Sequence, residues 1–283
     1  MVTPAVNTVA AETVTDTTKH FRKSEMYKMA NYNITFSPTG GTKKVADILA
    51  KEIFDSHTDI DLCIPEADIN YLVLKNDDVC IIAVPSFGGR VPQLNIERIR
   101  KFSGNGAKAI LVCVYGNRAY EDTLTELQDE AEKAGFCVIS AVSAIAEHSI
   151  VRQFAKGRPD SDDENVLKGF AKQIKEKLDN KDYEMHTAIP GSHNTYKERG
   201  KSGPGPQTSD ACVACGICTK GCPAGAIAFD NPKTTDGDKC ISCMKCIAVC
   251  PVKAKSLDVN VLTALSERLS KVCSERKENE LFI

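Results

Sequence analysis

The chain has 283 residues, 42% of them hydrophobic and 26% charged, with a formal net charge of -2. This is the composition of an ordinary globular protein; the near balance of charge argues against a nucleic-acid partner, and nothing approaches the roughly 18 apolar residues of a membrane span. The length exceeds that of one ordinary domain, so at least two are expected.

Residues 1–29 form no continuous apolar stretch of the kind a secretory signal needs, because Glu12 and Asp16 interrupt them, and a disordered extension is expected there. The first domain is expected over residues 30–179. Residues 32–36, Tyr-Asn-Ile-Thr-Phe, read as a short strand. The loop Ser37-Pro38-Thr39-Gly40-Gly41-Thr42 follows, and then a helical pattern in which Val45, Ile48, Leu49 and Ile53 share one face. Strand, glycine-hydroxyl loop and helix make a phosphate cradle: the glycines admit an anion to the backbone N–H groups, the hydroxyls add donors, and the helix start is partially positive. A plain structural turn is the alternative. Neither a Gly-Lys-[Ser/Thr] triphosphate loop nor a G-x-G-x-x-G dinucleotide turn is present.

Further strands are expected at 59–64, 79–84, 107–115 and 136–144, and helices at 122–133 and 164–178. The last three strands are nearly continuous apolar runs, as in a parallel sheet covered on both faces. Five strands alternating with helices predict a doubly wound α/β domain whose ligand lies beyond the carboxyl ends of the central strands. The segments falling there are the cradle, then Pro85-Ser86-Phe87-Gly88-Gly89-Arg90-Val91-Pro92, then Tyr115-Gly116-Asn117-Arg118-Ala119-Tyr120.

On these residues the domain resembles flavodoxins. Residues 37–42 match that family's [Ser/Thr]-x-Thr-Gly-x-Thr phosphate loop, and the other two segments fall where the family grips the isoalloxazine ring. The resemblance implies bound FMN and a five-stranded parallel sheet of order 2-1-3-4-5. Ser37, Thr39, Gly40, Gly41 and Thr42 would hold the phosphate through hydroxyls and amides. Phe87 and Tyr115, with Tyr120 in reserve, would touch the ring, and Gly88 and Gly89 would let the peptide turn a carbonyl toward it. Pro85, Ser86, Gly116 and Asn117 complete the two loops. Arg118 and Arg90 would meet an anionic flavin or a substrate carboxylate. The alternatives are ordinary core packing for Phe87 and Tyr115, solvated loops for the arginines, and a structural role for His148.

Residues 180–207 are rich in breakers, among them Pro190-Gly191 and Gly203-Pro204-Gly205-Pro206, and read as a connector. Its basic residues Lys197, Arg199 and Lys201 would face a carboxylate surface, a redox partner or simply solvent. Residues 208–258 then carry a duplicated pattern: Cys212, Cys215, Cys218, Cys222-Pro223, and Cys240, Cys243, Cys246, Cys250-Pro251. Each copy is the C-x2-C-x2-C-x3-C-P run of cubane iron-sulfur clusters, whose fourth cysteine ligates the other cluster. The spacing therefore predicts one [4Fe-4S] cluster on Cys212, Cys215, Cys218 and Cys250, and a second on Cys240, Cys243, Cys246 and Cys222. Zinc also takes C-x2-C pairs, but explains neither the third cysteine of each triplet nor the duplication. The remaining Cys63, Cys80, Cys113, Cys137 and Cys273 are an odd, scattered set that reads as free thiols of a reducing, cytoplasmic compartment. In residues 259–283, Leu262, Leu265, Leu269 and Val272 form a helical stripe expected to cover a domain, with homodimer formation as the alternative.

The cysteine region resembles bacterial two-cluster ferredoxins, and the chain from about residue 30 resembles the flavodoxin/ferredoxin fusion proteins of anaerobes. That resemblance implies electron transfer between FMN and two [4Fe-4S] clusters, linking two-electron to one-electron chemistry, with a redox protein or a small-molecule acceptor as partner. An FMN-dependent reductase of a quinone, an enoate or a flavin is the alternative, and a redox or oxygen sensor the third. No nucleophile constellation or catalytic carboxylate pair is visible, so no catalytic residue is assigned.

Overall fold

The computed structural model describes residues 29–181, 183, 188–200 and 203–283. The expected N-terminal extension, apart from Met29, and Lys201 lie outside them. In chain order the elements are β1 (Asn31–Thr35), α1 (Gly41–Ile53), β2 (Thr58–Asp61), β3 (Val79–Pro85), α2 (Gln93–Ile99), β4 (Lys108–Tyr115), α3 (Thr123–Lys133), β5 (Cys137–Ile145) and α4 (Ser161–Asp179). The cysteine-rich part adds β6 (Gln207–Thr208), α5 (Ile217–Lys220), α6 (Lys245–Ala248) and β7 (Lys255–Ser256), and the chain ends in α7 (Val259–Cys273) and β8 (Glu280–Phe282).

The main sheet has the order β2-β1-β3-β4-β5-β8. Its first five strands are parallel, in the 2-1-3-4-5 order expected of a flavodoxin-like core. The sixth strand was not expected: β8 pairs antiparallel with β5, with Ser143 opposite Glu280. Every residue of β4 is buried, and each fully buried Leu or Ile there contributes roughly 1.5–3 kcal/mol. Helices α1 and α4 cover one face through Val45, Leu49, Leu167 and Ile174. Helices α2 and α3 cover the other through Ile96, Ile99, Leu124 and Leu127. Two scattered thiols, Cys80 and Cys113, sit inside this packing, where burial pushes their pKa values up and leaves them as small hydrophobes.

The connector is fastened rather than free. Along α3 and the turn before it, Asp129 accepts from the Asn194 amide at 2.9 Å and from the Tyr196 hydroxyl and bonds the His193 ring at 2.6 Å, while Asp122 accepts from the Lys197 amide at 2.7 Å. Lys197 and Arg199, two of the three basic residues noted in the connector, pair with Glu121 and Glu126. The chain end is held as firmly. Asn117, in the loop after β4, donates to the carbonyls of Cys273 and Glu275 at 2.8 and 2.7 Å and accepts from the Lys277 amide at 3.2 Å. The expected leucine stripe of α7 is rotated slightly: Leu265, Leu269 and Cys273 pack on Val151 and Phe154, and Val272 is 50% exposed. Among the described residues no helix is long and apolar enough to cross a membrane.

Candidate functional site

Strand β1 delivers residues 37–42 to the carboxyl edge of the sheet. Gly40 sits at φ 92° as the left-handed residue before α1, and its N–H donates to the Ser37 carbonyl at 3.3 Å. The Ser37 hydroxyl accepts from the Lys43 amide at 2.8 Å, so it braces the loop from within. Thr39, Gly41 and Thr42 line a cavity, and their amides make no hydrogen bonds within the described structure. No acidic residue occupies the first turn of α1, which leaves a partially positive concavity for an anion. The neighbouring lysines are turned elsewhere: Lys43 bonds Asp47 at 2.7 Å and Lys44 bonds the Pro159 carbonyl at 2.6 Å. A Cβ on Gly41 would lie 3.0 Å from that of Ala146, so glycine is what lets α1 begin beside the end of β5.

Beyond β3, Phe87 and Arg90 exchange backbone hydrogen bonds of 3.0 and 3.3 Å around Gly88 and Gly89. Their φ values of 62° and 83° are the positive pair that a type I′ turn requires. Gly88 faces open space, whereas a Cβ on Gly89 would fall 1.8 Å from the Glu121 carboxylate. Pro85, Ser86, Phe87 and Gly88 line the cavity, as do Tyr115 and Gly116 from the end of β4. Tyr115 meets Tyr120 edge to face at 5.4 Å, and burial, then Glu280, push its phenol up to about 12.

The structure places the other named loop residues outside the cavity lining, each for a local reason. Tyr120 donates to Glu280 at 3.0 Å, Arg118 pairs with Glu121 at 2.7 Å, and Asn117 is spent on the chain end. Ser37, Gly40 and Gly89 support the loops from behind. His148 does line the cavity. Its Nδ1 accepts from the Ile150 and Val151 amides, both at 3.1 Å, which leaves the proton on Nε2; burial, and then the Arg118 charge, lower its pKa.

The cavity measures about 410 Å³, within the range of cofactor sites. Its far wall was not visible from the sequence: Ile241, Ser242 and Cys243 of the cysteine-rich part, with Leu265 and Arg268 of α7. Ser242 is buried and its hydroxyl has no partner, a donor left over where the two units meet. Arg90 and Arg199 also line this space, both held on the buried carboxylate of Glu126.

The eight motif cysteines fall into two sets in space. One small cavity is lined by Cys222, Cys240, Cys243 and Cys246, and another by Cys212, Cys215, Cys218 and Cys250. These are the crossed sets that the spacing predicts. The backbone repeats with the sequence: Ala214 and Ser242 (φ 52° and 53°), Gly216 and Met244 (73° and 63°), and Gly225 and Lys253 (60° and 53°) are all left-handed. Amides of Ala226 and Ala254 donate to the sulfurs of Cys222 and Cys250 at 3.3 and 3.2 Å, as thiolate ligands require. Burial raises Cys243 to about 11 and Cys246 to about 12, whereas at Cys250 amide hydrogen bonds outweigh burial and lower the pKa. Among the described residues no three His, Cys, Asp or Glu side chains converge on a single-ion position. Four sulfurs around a closed space suit a cubane, which spreads its ligands over four irons.

Residues 211–255 match the 4Fe-4S dicluster domain family. No curated protein matches the chain in sequence. Solved structures similar to it include a flavodoxin from the domain Archaea, 14% identical, over 53% of this chain and 99% of that one at a TM-score of 0.38. They also include the flavodoxin of Streptococcus pneumonia TIGR4, at 19% identity, 52% and 99% coverage and a TM-score of 0.35. A third is an NAD(P)H:quinone oxidoreductase from Methanothermobacter marburgensis, at 12% identity, 56% and 99% coverage and a TM-score of 0.32. The parallel 2-1-3-4-5 strand order and the dicluster match together give the chain its architecture: a flavodoxin-like core followed by a 4Fe-4S dicluster domain.

Proposed function

We propose that this protein holds FMN in the shared cavity and two [4Fe-4S] clusters on its crossed cysteine sets, and passes electrons between them. One observation carries the proposal: Cys243 lines both the small cavity with Cys222, Cys240 and Cys246 and the larger one with Thr39, Gly41, Thr42 and Phe87. That cysteine set is called proximal below, and Cys212, Cys215, Cys218 and Cys250 distal. Bound FMN supplies one- and two-electron chemistry, while each cluster exchanges single electrons.

The chain's own contributions follow from the geometry. The amides of Thr39, Gly41 and Thr42 would donate to the phosphate without a lysine. The turn at Gly88-Gly89 would offer backbone to the ring, and Phe87 and Tyr115 would give it apolar walls. Ile241 and Leu265 would shield the cavity from water on the side of the cysteine-rich part and lower the local dielectric. Ser242 and the Nε2–H of His148 supply hydrogen-bond donors at the meeting point. Protein purified without oxygen should contain one FMN and about eight irons per chain, as two cubanes demand. Zinc in their place, without the visible absorbance of iron-sulfur clusters, would refute it.

A second reading has one observation in its favour. His148 reaches the cavity with a free Nε2–H, a donor that a small acceptor such as a quinone could use, whereas Arg118 is paired elsewhere. Under that reading the FMN reduces a small substrate with the clusters as inlet, and anaerobic turnover of a quinone that falls at least tenfold in His148→Phe tests it. Unchanged turnover in that variant contradicts a substrate-binding role for the ring.

A further inference from the structure

Arg98 on α2 is 1% exposed and is among the largest fully buried side chains of the molecule. A buried cation ordinarily meets a carboxylate, because stripping water from an unpaired charge is costly. Arg98 meets none. Its guanidinium donates to two backbone carbonyls, those of Leu62 and, at 2.8 Å, Pro223, and its Nε has no partner. Burial accordingly lowers its pKa, with only the more distant Tyr71, Cys63, Asp61 and Glu97 opposing.

The second carbonyl gives the location its meaning. Pro223 follows Cys222, and both residues line the cavity of the proximal cysteine set. Lys245, between Cys243 and Cys246 in sequence, lines the same cavity and gives its Nζ only to the Cys63 carbonyl at 2.8 Å. Lys245 on the cavity wall and Arg98 behind the Pro223 carbonyl thus hydrogen-bond to backbone dipoles, and among the described residues neither forms an ion pair. The repeat provides an internal control. The distal cavity is lined by Lys255, which bonds the Thr208 hydroxyl at 2.8 Å and whose charge also reaches Cys246 of the proximal set. The repeat equivalent of Pro223 is Pro251, which is exposed and receives no side-chain donor among the described residues. Arg98 is therefore a charge that the sheet domain adds to one cysteine set and withholds from its twin.

We propose that Arg98, assisted by Lys245, is the counter-ion of the proximal cluster and raises its reduction potential selectively. This inference rests on the proposed cluster assignment. Four thiolates on a cubane leave a net negative charge, and each added electron deepens it without a proton. A buried positive charge stabilises the added electron, as burial and hydrogen bonds around the sulfurs do at such sites. The same attraction fixes the cysteine-rich part against the sheet, so the counter-ion and the domain contact are one device.

The test is an anaerobic redox titration of the full holo-protein followed by electron paramagnetic resonance, on wild type, Arg98→Met, Arg98→Lys and Lys245→Met. In Arg98→Met one cluster potential should fall by at least a tenfold change in the oxidised-to-reduced ratio, about 59 mV for a one-electron couple, while the other stays in place. Arg98→Lys should keep most of the wild-type value, and Lys245→Met should shift the same one of the two, by less. Two clusters present with neither moved, or both moved equally, overturns the inference and leaves the proposed function standing. Should Arg98→Met fail to assemble, Lys245→Met decides on the same terms. Wild-type protein with only one titrating cluster contradicts the proposed function itself, and this inference with it.

Discussion

The two cysteine sets are equal in sequence and unequal in surroundings. Cys243 of the proximal set is 9% exposed, and its neighbours Ser242 and Met244 are buried against the sheet domain and α7. Its repeat partner Cys215 is exposed, flanked by Val213 at 64% and Ile217 at 43%. The ligand spacing, the left-handed residues and the amide-to-sulfur bonds are the same in both copies, so the repeat itself cannot assign their roles. Docking against the flavodoxin-like fold does so: one set becomes inward-facing beside the candidate FMN cavity, and the other outward-facing.

The largest effect comes from breaking the crossed sets. Cys222→Ser should lose about half of the iron, and the lost cluster should be the proximal one although Cys222 belongs to the first sequence copy. Loss of the distal signal instead would mean that each copy binds its own cluster. Iron analysis with electron paramagnetic resonance reads the result.

Next, the FMN side should fail without disturbing either cluster. Gly41→Val forces side-chain atoms onto Ala146, where even a Cβ would lie at 3.0 Å, and displaces amides that face the cavity. FMN affinity, read by flavin fluorescence, should fall by at least tenfold, about 1.4 kcal/mol, while the iron content holds. Equal affinity would move the phosphate away from this loop.

A smaller effect concerns the chain end, which packs behind the proximal side. Asn117→Ala removes three hydrogen bonds to residues 273–277 and should cost about 1–3 kcal/mol in thermal or denaturant unfolding, with both clusters retained. The smallest is a pH dependence at the same place. Burial would raise Asp163, but Arg158 and the Asp160 amide overcome it and hold the carboxyl below its ordinary value. A depressed folded value means that its stabilisation is complete above about pH 3.9, the unfolded value, and is lost as the pH falls through the lower folded one. The stability gap between wild type and Asp163→Asn should therefore close on acidification, and a gap independent of pH down to about 2 would show that the charge is irrelevant.

The parallel core was legible because β3, β4 and β5 carry apolar runs of ordinary length, and the cysteine sets were legible because ligand spacing is local. The glycine-hydroxyl loop, from which Thr39, Gly41 and Thr42 line the cavity, was legible for the same reason. What escaped was non-local or short. β8 has three residues, too few to alternate, and is held by Glu280, which also takes the Tyr120 and Ser143 hydroxyls. The seven-residue α2 begins after Pro92 and lacks a long periodic face, so no local pattern marks Arg98 as buried. The connector's composition showed only chain breakers, yet Asp122, Glu126 and Asp129 on or beside α3 supply partners for residues 194–199 that no local pattern reveals. Asn117 and Arg118 lie in the loop after β4, but backbone geometry at φ 65° for Asn117 and the chain end it holds decide where the side chains go.

The shared cavity makes its most direct commitment in the time domain. Holo-protein mixed without oxygen with excess reduced ferredoxin, and followed separately at flavin and cluster wavelengths, should show flavin reduction that lags cluster reduction and whose rate saturates as the ferredoxin concentration rises. Cys222→Ser, lacking the proximal cluster, should lose that phase. Flavin reduction with no lag behind the clusters, or a variant as fast as wild type, would contradict electron transfer through the proximal set.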